Sequence, residues 1–257
     1  MSQTDNANKD GQRRNRKIFI CIAVALCSLM ILVSVSGLLF QDVTNLVIKW
    51  QYKMADTGSV VKFGRYEQDG NLNNGAEDIQ WIVLAREGNS ILLISKYSLL
   101  SSTYVEWSAY WEYYINNAEL DTTWANSVPR SILNNGFYFE AFTEAERERI
   151  ILTTVVPDKH VDGNANNEPE TQDHIYILSE SEAIKYFQND PSRKSKVTKY
   201  LMESEDVKAD FSAWWLRSKA ERENHVMTVR GNGSIWRKGY GTTCGMDIRP
   251  VLWLRVD

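Results

Sequence analysis

Six aromatic side chains lie within one eleven-residue stretch, "YVEWSAYWEYY", which runs from Tyr104 to Tyr114 and also holds two acids. Exposed aromatic faces beside carboxylates stack on sugar rings and hydrogen-bond to their hydroxyls. The composition is therefore compatible with a ligand-binding surface, with Trp107, Tyr110 and Trp111 as candidate contacts. The alternative is that these side chains pack under a long loop as part of the core.

A second stretch, "PDKHVDGNANNEPETQD" at residues 157–173, is rich in oxygen donors of the kind that Ca²⁺ accepts. Its spacing does not fit the twelve-residue EF-hand loop, and Asp and Asn also make ordinary surface turns. We therefore expect at most a weak calcium site, of roughly 10⁻⁴ to 10⁻³ M affinity, and no other cofactor. A related loop at residues 67–78 has a weaker pattern. The candidate ligands are Asp158, Asp162, Asn164 and Glu168.

Catalytic motifs are absent from the sequence, which contains no HExxH, CxxC, GxSxG, P-loop or GxGxxG pattern. His160, His174 and His225 are too far apart in sequence to make a zinc motif. The sequence therefore predicts a binding protein and no catalytic residue. An enzyme that uses Cys244 or the loop around His160 is the alternative.

Two adjacent tryptophans, Trp214 and Trp215, stand in the stretch "AWWLRS". Successive side chains of a strand point to opposite faces, so both enter a core only if the strand is covered on both sides. One of the two is therefore a further candidate for a ligand-binding surface.

An uncharged run of 23 residues, at positions 18–40, is long enough as a helix to cross a bilayer, since ~1.5 Å per residue gives ~35 Å. Basic residues at 13–17 precede it, and no base follows directly. The positive-inside rule then predicts a cytoplasmic tail at 1–17 and an extracytoplasmic remainder. The chain is predicted to be a single-pass cell-membrane protein; a signal peptide cleaved near Gly37 is the alternative.

Residues 41–58 are predicted to form a stalk or an interfacial helix, with Trp50 and Tyr52 at the membrane surface. Docking of this segment on the domain is equally compatible with its apolar spacing. Strands are expected at both ends of residues 59–257, with helices between them that begin at the capping boxes of Thr143 and Ser179. This order indicates a mixed α+β domain whose first and last strands pair.

Cysteine and charge content narrow the class of protein. Cys21 and Cys27 lie in the apolar run, so the domain holds Cys244 alone and no internal disulfide. A large exported domain of this kind is typical of the bacterial cell envelope. The outer part is acidic and has no basic cluster with interleaved aromatics, which excludes nucleic acid as a partner.

Several segments between Val60 and Val256 resemble a bacterial family of unknown function, among them "VKFGRY", "IQWIVLA", "WWLRS" and "GMDIRPVLWL". Its members share a W-x-L-R-S segment, a strand hairpin and a G-x-R-P-x-L-W-L-like ending. The family is in turn distantly similar to the C-type-lectin-like fold of formylglycine-generating enzymes. The resemblance implies a C-type-lectin-like α+β domain with antiparallel strands, preceded by one transmembrane helix.

The resemblance also implies roles for single residues. The W-x-L-R-S strand of the family lies in an interior sheet, which implies that Trp215 packs in the core. Trp214, on the other face, is then the candidate for a ligand surface, and packing against a helix is the alternative for it. Arg217 and Arg249 would be paired structural charges, because an unpaired buried guanidinium is costly. Formylglycine-generating enzymes use a cysteine pair, which the single Cys244 does not supply.

These inferences combine into one functional expectation. The chain is predicted to be a membrane-anchored extracytoplasmic module that binds a glycan, peptide or protein without catalysis. The alternatives are a divergent envelope enzyme of the formylglycine-generating-like fold and a structural partner of another membrane protein. The calcium-lectin motifs are replaced by "EPE" at 168–170 and "WAN" at 124–126, so calcium-mediated sugar binding is not implied.

Overall fold

Strands make up most of the regular structure. The computed structural model describes residues 52–158, 168–204 and 213–257, and its strands are numbered here in chain order. They are β1 (Val60–Tyr66), β2 (Glu77–Glu87), β3 (Ser90–Ser95), β4 (Tyr97–Ser98), β5 (Leu100–Ser102), β6 (Thr153–Val155), β7 (Thr171–Asp173), β8 (Lys196–Val197), β9 (Trp214–Lys219), β10 (His225–Val229), β11 (Ile235–Gly241), β12 (Met246–Ile248) and β13 (Val251–Arg255).

The first sheet is antiparallel and has the strand order β1-β2-β3-β13. Alternating burial along β2 directs Ile79, Trp81 and Val83 into the core. The predicted β2–β3 hairpin is confirmed. The predicted pairing of first and last strands is wrong, because β13 adds to β3 and leaves β1 at the opposite edge. Both ends of the domain nevertheless contribute to one sheet.

The second sheet has the order β11-β10-β9-β12-β5, with β9 at its centre. Its pairs are antiparallel except for β9 and β12, which run parallel at Trp214 and Asp247. Five consecutive residues of β9 are buried, so this strand is covered on both faces. The predicted β10–β11 hairpin is confirmed. Two shorter pairs, β4–β8 and β6–β7, complete the sheets of the described residues.

Helices fill the middle of the chain, as predicted for a mixed α+β domain. A helical segment capped by Ser127 passes through a π-helical turn, Leu133–Phe137. Phe137 and Phe142 pack at its end, and the Phe142 ring lies 5.2 Å from that of Phe63 in β1. The helices are α1 (Trp107–Asn116), α2 (Val128–Ile132), α3 (Tyr138–Ala141), α4 (Glu144–Arg147), α5 (Glu180–Tyr186), α6 (Asp190–Arg193) and α7 (Lys199–Ser204).

Tyr52 belongs to the core of the domain. Its side chain is buried, and its hydroxyl donates to the carbonyl of Lys62 in β1 at 2.5 Å. Arg86 donates to the carbonyls of Tyr52 and Ala55. The prediction that Tyr52 lies at the membrane surface is therefore wrong. For Tyr52, in the described part of residues 41–58, the alternative that the segment docks on the domain holds.

The predicted transmembrane segment, residues 18–40, lies outside the described residues, as does Trp50. Within residues 52–158, 168–204 and 213–257, no helix combines the length and the apolar character needed to cross a bilayer.

Both predicted capping boxes are present. Ser179 accepts from the backbone of Glu182 and the Glu182 carboxylate accepts from the backbone of Ser179, at the start of α5. Thr143 and Glu146 repeat the arrangement at the start of α4. Local spacing was sufficient to predict where these two helices begin.

Ser179→Ala is expected to lower the free energy of unfolding by about 1 kcal/mol, because the first turn of α5 loses its side-chain acceptor. Urea unfolding followed by tryptophan fluorescence measures the change. Ser108→Ala, at an exposed helical serine of α1, is the control and should have an effect within about 0.5 kcal/mol. Equal effects of both substitutions would contradict the role assigned to the cap.

Candidate functional site

Two buried residues fix the start of the aromatic helix α1. The backbone N–H groups of Tyr104 and Val105 both donate to the carbonyl of Thr242, at 2.7 and 3.2 Å. The Tyr104 ring meets Trp215 edge-on, with 5.3 Å between the ring centroids. The helix ends at Asn117, which adopts a left-handed conformation with φ 52°. No residue of α1 itself is fully buried, so the helix is attached through these ends and through the partly buried Tyr110.

The aromatic side chains of α1 form two groups. Trp107, Tyr110 and Tyr113 make a row along the helix, with 6.0 Å between successive ring centroids. Trp111 and Tyr114 make a second contact of 6.0 Å. Tyr110 packs partly against the core, whereas Trp107 and Trp111 are each about half exposed. The three predicted contact residues therefore lie on one exposed helix, and the packing alternative applies to Tyr110.

A cleft of about 530 Å³ lies at the carboxyl end of the Trp107–Tyr110–Tyr113 row. Its size falls within the range of roughly 300–1,000 Å³ that small-molecule sites occupy. The end of β9 and the β9–β10 turn supply its polar side, and Tyr113 supplies a ring face. Prominent lining residues are Tyr113, Leu120, Lys219, Arg222, Glu223 and His225.

Charges of both signs lie in and beside the cleft. Lys219 Nζ is 2.9 Å from Oε1 of Glu168, and Nδ1 of His225 is 2.8 Å from the carbonyl oxygen of Glu223. Burial acts to raise the pKa of Asp121, but hydrogen bonds from Thr123 and Asn126, together with nearby Lys219, hold it below its usual value. The mixture of donors and acceptors suits a polar ligand without a large net charge.

The family of the chain follows from its sequence. A family model described as a domain of unknown function, DUF6273, matches residues 88–256, which is more than half of the chain. The chain belongs to the DUF6273 family. No curated protein and no solved structure matches it. Strands β1 and β2 precede the matched residues, although they complete the sheet that β3 and β13 form.

Three arginines are buried in the described part of this DUF6273 domain, and two of them have an acidic partner: Arg193 pairs with Asp190, and Arg217 pairs with Glu182. Arg217, from the W-x-L-R-S segment in β9, forms an ion pair with Glu182 at 3.0 Å. Its Nη1 also donates to the carbonyl of Val156 at 2.6 Å. The prediction that Arg217 is a paired structural charge is confirmed.

Arg249 is buried without a carboxylate partner among the described residues, so the prediction of a charge pair is wrong for it. Its Nε donates to the carbonyl of Ser95 at 2.8 Å and its Nη1 to that of Arg193 at 3.2 Å. The guanidinium lies 5.3 Å from the ring centroid of Trp214 and 5.6 Å from that of Phe187. Burial lowers the pKa of Arg249 to about 9, so the group stays charged at neutral pH.

Trp214 does not lie at a ligand surface, which contradicts the prediction. Its side chain is fully buried, like that of Trp215. The indole Nε1 donates to the carbonyl of Arg193 at 3.2 Å, and the ring lies under Arg249. The physical reason is that β9 is the central strand of its sheet and is covered on both faces. The assignment of Trp215 to core packing is confirmed.

The two described candidates for calcium binding already contact protein groups. Asp158 Oδ2 accepts from the backbone of Ser181 at 3.1 Å and from the hydroxyl of Ser218 at 2.8 Å. Burial favours a raised pKa for Asp158, but these hydrogen bonds hold it below its usual value. Glu168 pairs with Lys219. Asp162 and Asn164 lie outside the described residues, so calcium binding at this loop stays a prediction.

Within the described ranges, the carboxylates that come closest to a metal-binding arrangement lie in the other loop. Oxygens of Glu67, Asp69 and Glu77 are all within 4.8 Å of one another. Glu77 Oε2 accepts from the backbone of Gln68 at 2.8 Å, and Glu67 Oε1 accepts from that of Gly70. These contacts stabilise the loop itself, and exposed acidic groups of this kind are common without an ion.

Several lining residues of the cleft were not predicted as site residues. Tyr113 belongs to the aromatic run from Tyr104 to Tyr114, and the composition of that run was a signal for it. His225 entered the sequence analysis only as a possible zinc ligand. Lys219, Arg222 and Glu223 carry no local signal. They reach the cleft because the β9–β10 turn lies beside the end of α1.

Proposed function

We propose that this DUF6273 protein is a membrane-anchored extracytoplasmic module that binds a glycan in the cleft beside α1. Tyr113 offers a ring face for stacking on a sugar, and Lys219, Arg222 and Glu223 offer charged groups for its hydroxyls. The observation that carries the proposal is the position of Tyr113, which is both the last member of an aromatic row and a lining residue of the cleft.

The proposed topology rests on the sequence. The uncharged residues 18–40 anchor the chain, the basic residues 13–17 keep the amino terminus in the cytoplasm, and the domain lies outside. A C-type-lectin-like fold is proposed for the domain. Support comes from strands at both ends of the domain that share one sheet, and from helices between them.

A binding role is favoured over catalysis by the lining of the cleft. Within the part of the chain that the structure describes, this lining includes His225 and the hydroxyl of Thr122, but the contact of the His225 ring is with the carbonyl of Glu223 and no hydrogen bond joins it to Thr122. Cys244 is half-buried and is not a lining residue. An enzyme of the formylglycine-generating-like fold remains the alternative function.

Tyr113→Ala is expected to weaken glycan binding about tenfold, because the substitution removes a stacking contact of roughly 1 kcal/mol or more. The full chain, held in a detergent that contains no sugar, is screened against peptidoglycan fragments and neutral and amino-sugar oligosaccharides. Affinities for the best binder are then measured by titration calorimetry.

The matched control is Tyr186→Ala, at a partly buried tyrosine of α5 that does not line the cleft. It should bind the same oligosaccharide as tightly as the unsubstituted chain does. If no oligosaccharide binds, or if Tyr113→Ala and Tyr186→Ala behave alike, glycan binding in this cleft is wrong.

A further inference from the structure

A stripe of exposed apolar side chains runs along α1, on the side away from Tyr113. Its members are 51%, 51%, 69% and 70% exposed, in chain order. They follow the spacing i, i+4, i+7 and i+8, which places them on one face of a helix. We call them the α1 stripe: Trp107, Trp111, Tyr114 and Ile115.

The composition of α1 fits a helix that lies in the surface of a bilayer. Tryptophan and tyrosine favour the headgroup region, where the ring is in apolar surroundings and the polar atom stays wet. The polar residues Ser108, Glu112 and Asn116 share a different face of the helix by their spacing. The helix therefore has an apolar and a polar face, as an interfacial helix does. Its polar face carries Glu112 and no basic residue, so insertion into a bilayer would rest on the apolar side chains and not on attraction to anionic lipids.

The length of the preceding chain allows such a contact. The described domain begins at Tyr52, and only residues 41–51 separate it from the uncharged run at 18–40. These residues reach at most ~36 Å when fully extended. A domain of this size has a radius of gyration of ~17 Å, so a tether of this length keeps its surface close to the bilayer.

We propose that the α1 stripe inserts into the headgroup region of the bilayer that holds residues 18–40. This contact rests on the membrane anchor of the proposed function and goes beyond it, because it fixes which surface of the domain faces the lipid. Tyr113 and the cleft lie on the opposite side of the same helix, so the cleft is held one width of α1, ~10 Å, from the membrane surface. Its ligand is then one that is presented close to the bilayer.

The test uses the full chain with Cys21→Ala, Cys27→Ala and Cys244→Ser, reconstituted in vesicles of phosphatidylcholine and phosphatidylglycerol. Tyr114→Cys is labelled with bimane, and Ile184→Cys serves as the control, since Ile184 is an equally apolar, 51% exposed side chain on α5. Brominated lipids quench only a fluorophore that lies within the bilayer. We expect at least about twofold quenching of the label at position 114 and little at position 184.

Two further measurements separate the possible outcomes. The chain should remain with floating vesicles after a carbonate wash, and Trp107→Ser with Trp111→Ser should abolish the quenching at position 114. A chain that floats but shows no quenching, or equal quenching at both positions, overturns the insertion and leaves the anchor intact. If the label at position 114 is shielded from solvent in a way that depends on protein concentration and not on brominated lipid, a second copy of the chain covers the stripe. That result also overturns the insertion. A chain that does not float overturns the anchor and, with it, the insertion.

Discussion

Replacing Arg249 by alanine is expected to lower the free energy of unfolding by about 5 kcal/mol. The buried carbonyl of Ser95 loses this donor, at roughly 1–3 kcal/mol, whereas the carbonyl of Arg193 loses one of two donors and keeps the indole N–H of Trp214. The space beside Trp214 and Phe187 becomes a cavity, which adds a further cost. Urea unfolding followed by tryptophan fluorescence measures the change, and the substituted chain should unfold at a much lower urea concentration, since a single domain has only about 5–15 kcal/mol of stability.

Two variants test the reason for this effect. Arg249→Met keeps most of the side-chain volume and removes the donors. The free energy of unfolding should therefore fall by a large part of the amount expected for Arg249→Ala. Arg65→Ala removes an exposed arginine whose nearest acid, Asp78, is 3.8 Å away, and should have an effect within about 0.5 kcal/mol. An Arg249→Met chain as stable as the original would show that packing, and not hydrogen bonding, explains the position.

Glu182→Ala is expected to lower the free energy of unfolding by about 3 kcal/mol. The substitution leaves the buried Arg217 with the carbonyl of Val156 but without its carboxylate, and breaking one partner of a buried pair is costly. It also removes the acceptor for the backbone N–H of Ser179 at the start of α5. The same urea experiment measures the loss.

The capping part of this effect has a matched control in Glu146→Ala. Glu146 holds the same position in the capping box of α4 but contacts no buried arginine in the described structure. Glu146→Ala should lower the free energy of unfolding by about 1 kcal/mol.

Glu182→Leu combined with Arg217→Met should recover stability relative to Glu182→Ala, because no charge is then left unpaired. Failure of this recovery would contradict the assigned role of the ion pair.

Local signals predicted local structure well. The β2–β3 and β10–β11 hairpins and the helix starts at Thr143 and Ser179 each depend on residues a few positions apart, and all are present. Such features need no knowledge of distant neighbours. The aromatic run gave a weaker signal, because its composition allowed either a ligand surface or packing under a loop; the structure leaves Trp107 and Trp111 half exposed and buries Tyr104.

Features that depend on distant contacts were missed. The burial of Trp214 follows from the central place of β9 in its sheet, which no local pattern encodes. Arg249 meets two carbonyls and two rings that lie far from it in sequence, so a charge pair was a reasonable but wrong expectation. The polar side of the cleft likewise comes from a turn whose partner, α1, lies far away along the chain.

The place of β13 beside β3 has a consequence for how the protein is made. Strand β3 is synthesised early, yet its second neighbour is β13, near the last residues of the sequence. Since contacts between distant segments form slowly, the first sheet stays open until β13 has been synthesised. The apolar edge of "SILLIS" is then exposed in the interim. A late step in which β13 closes the first sheet is the folding route that this strand order favours.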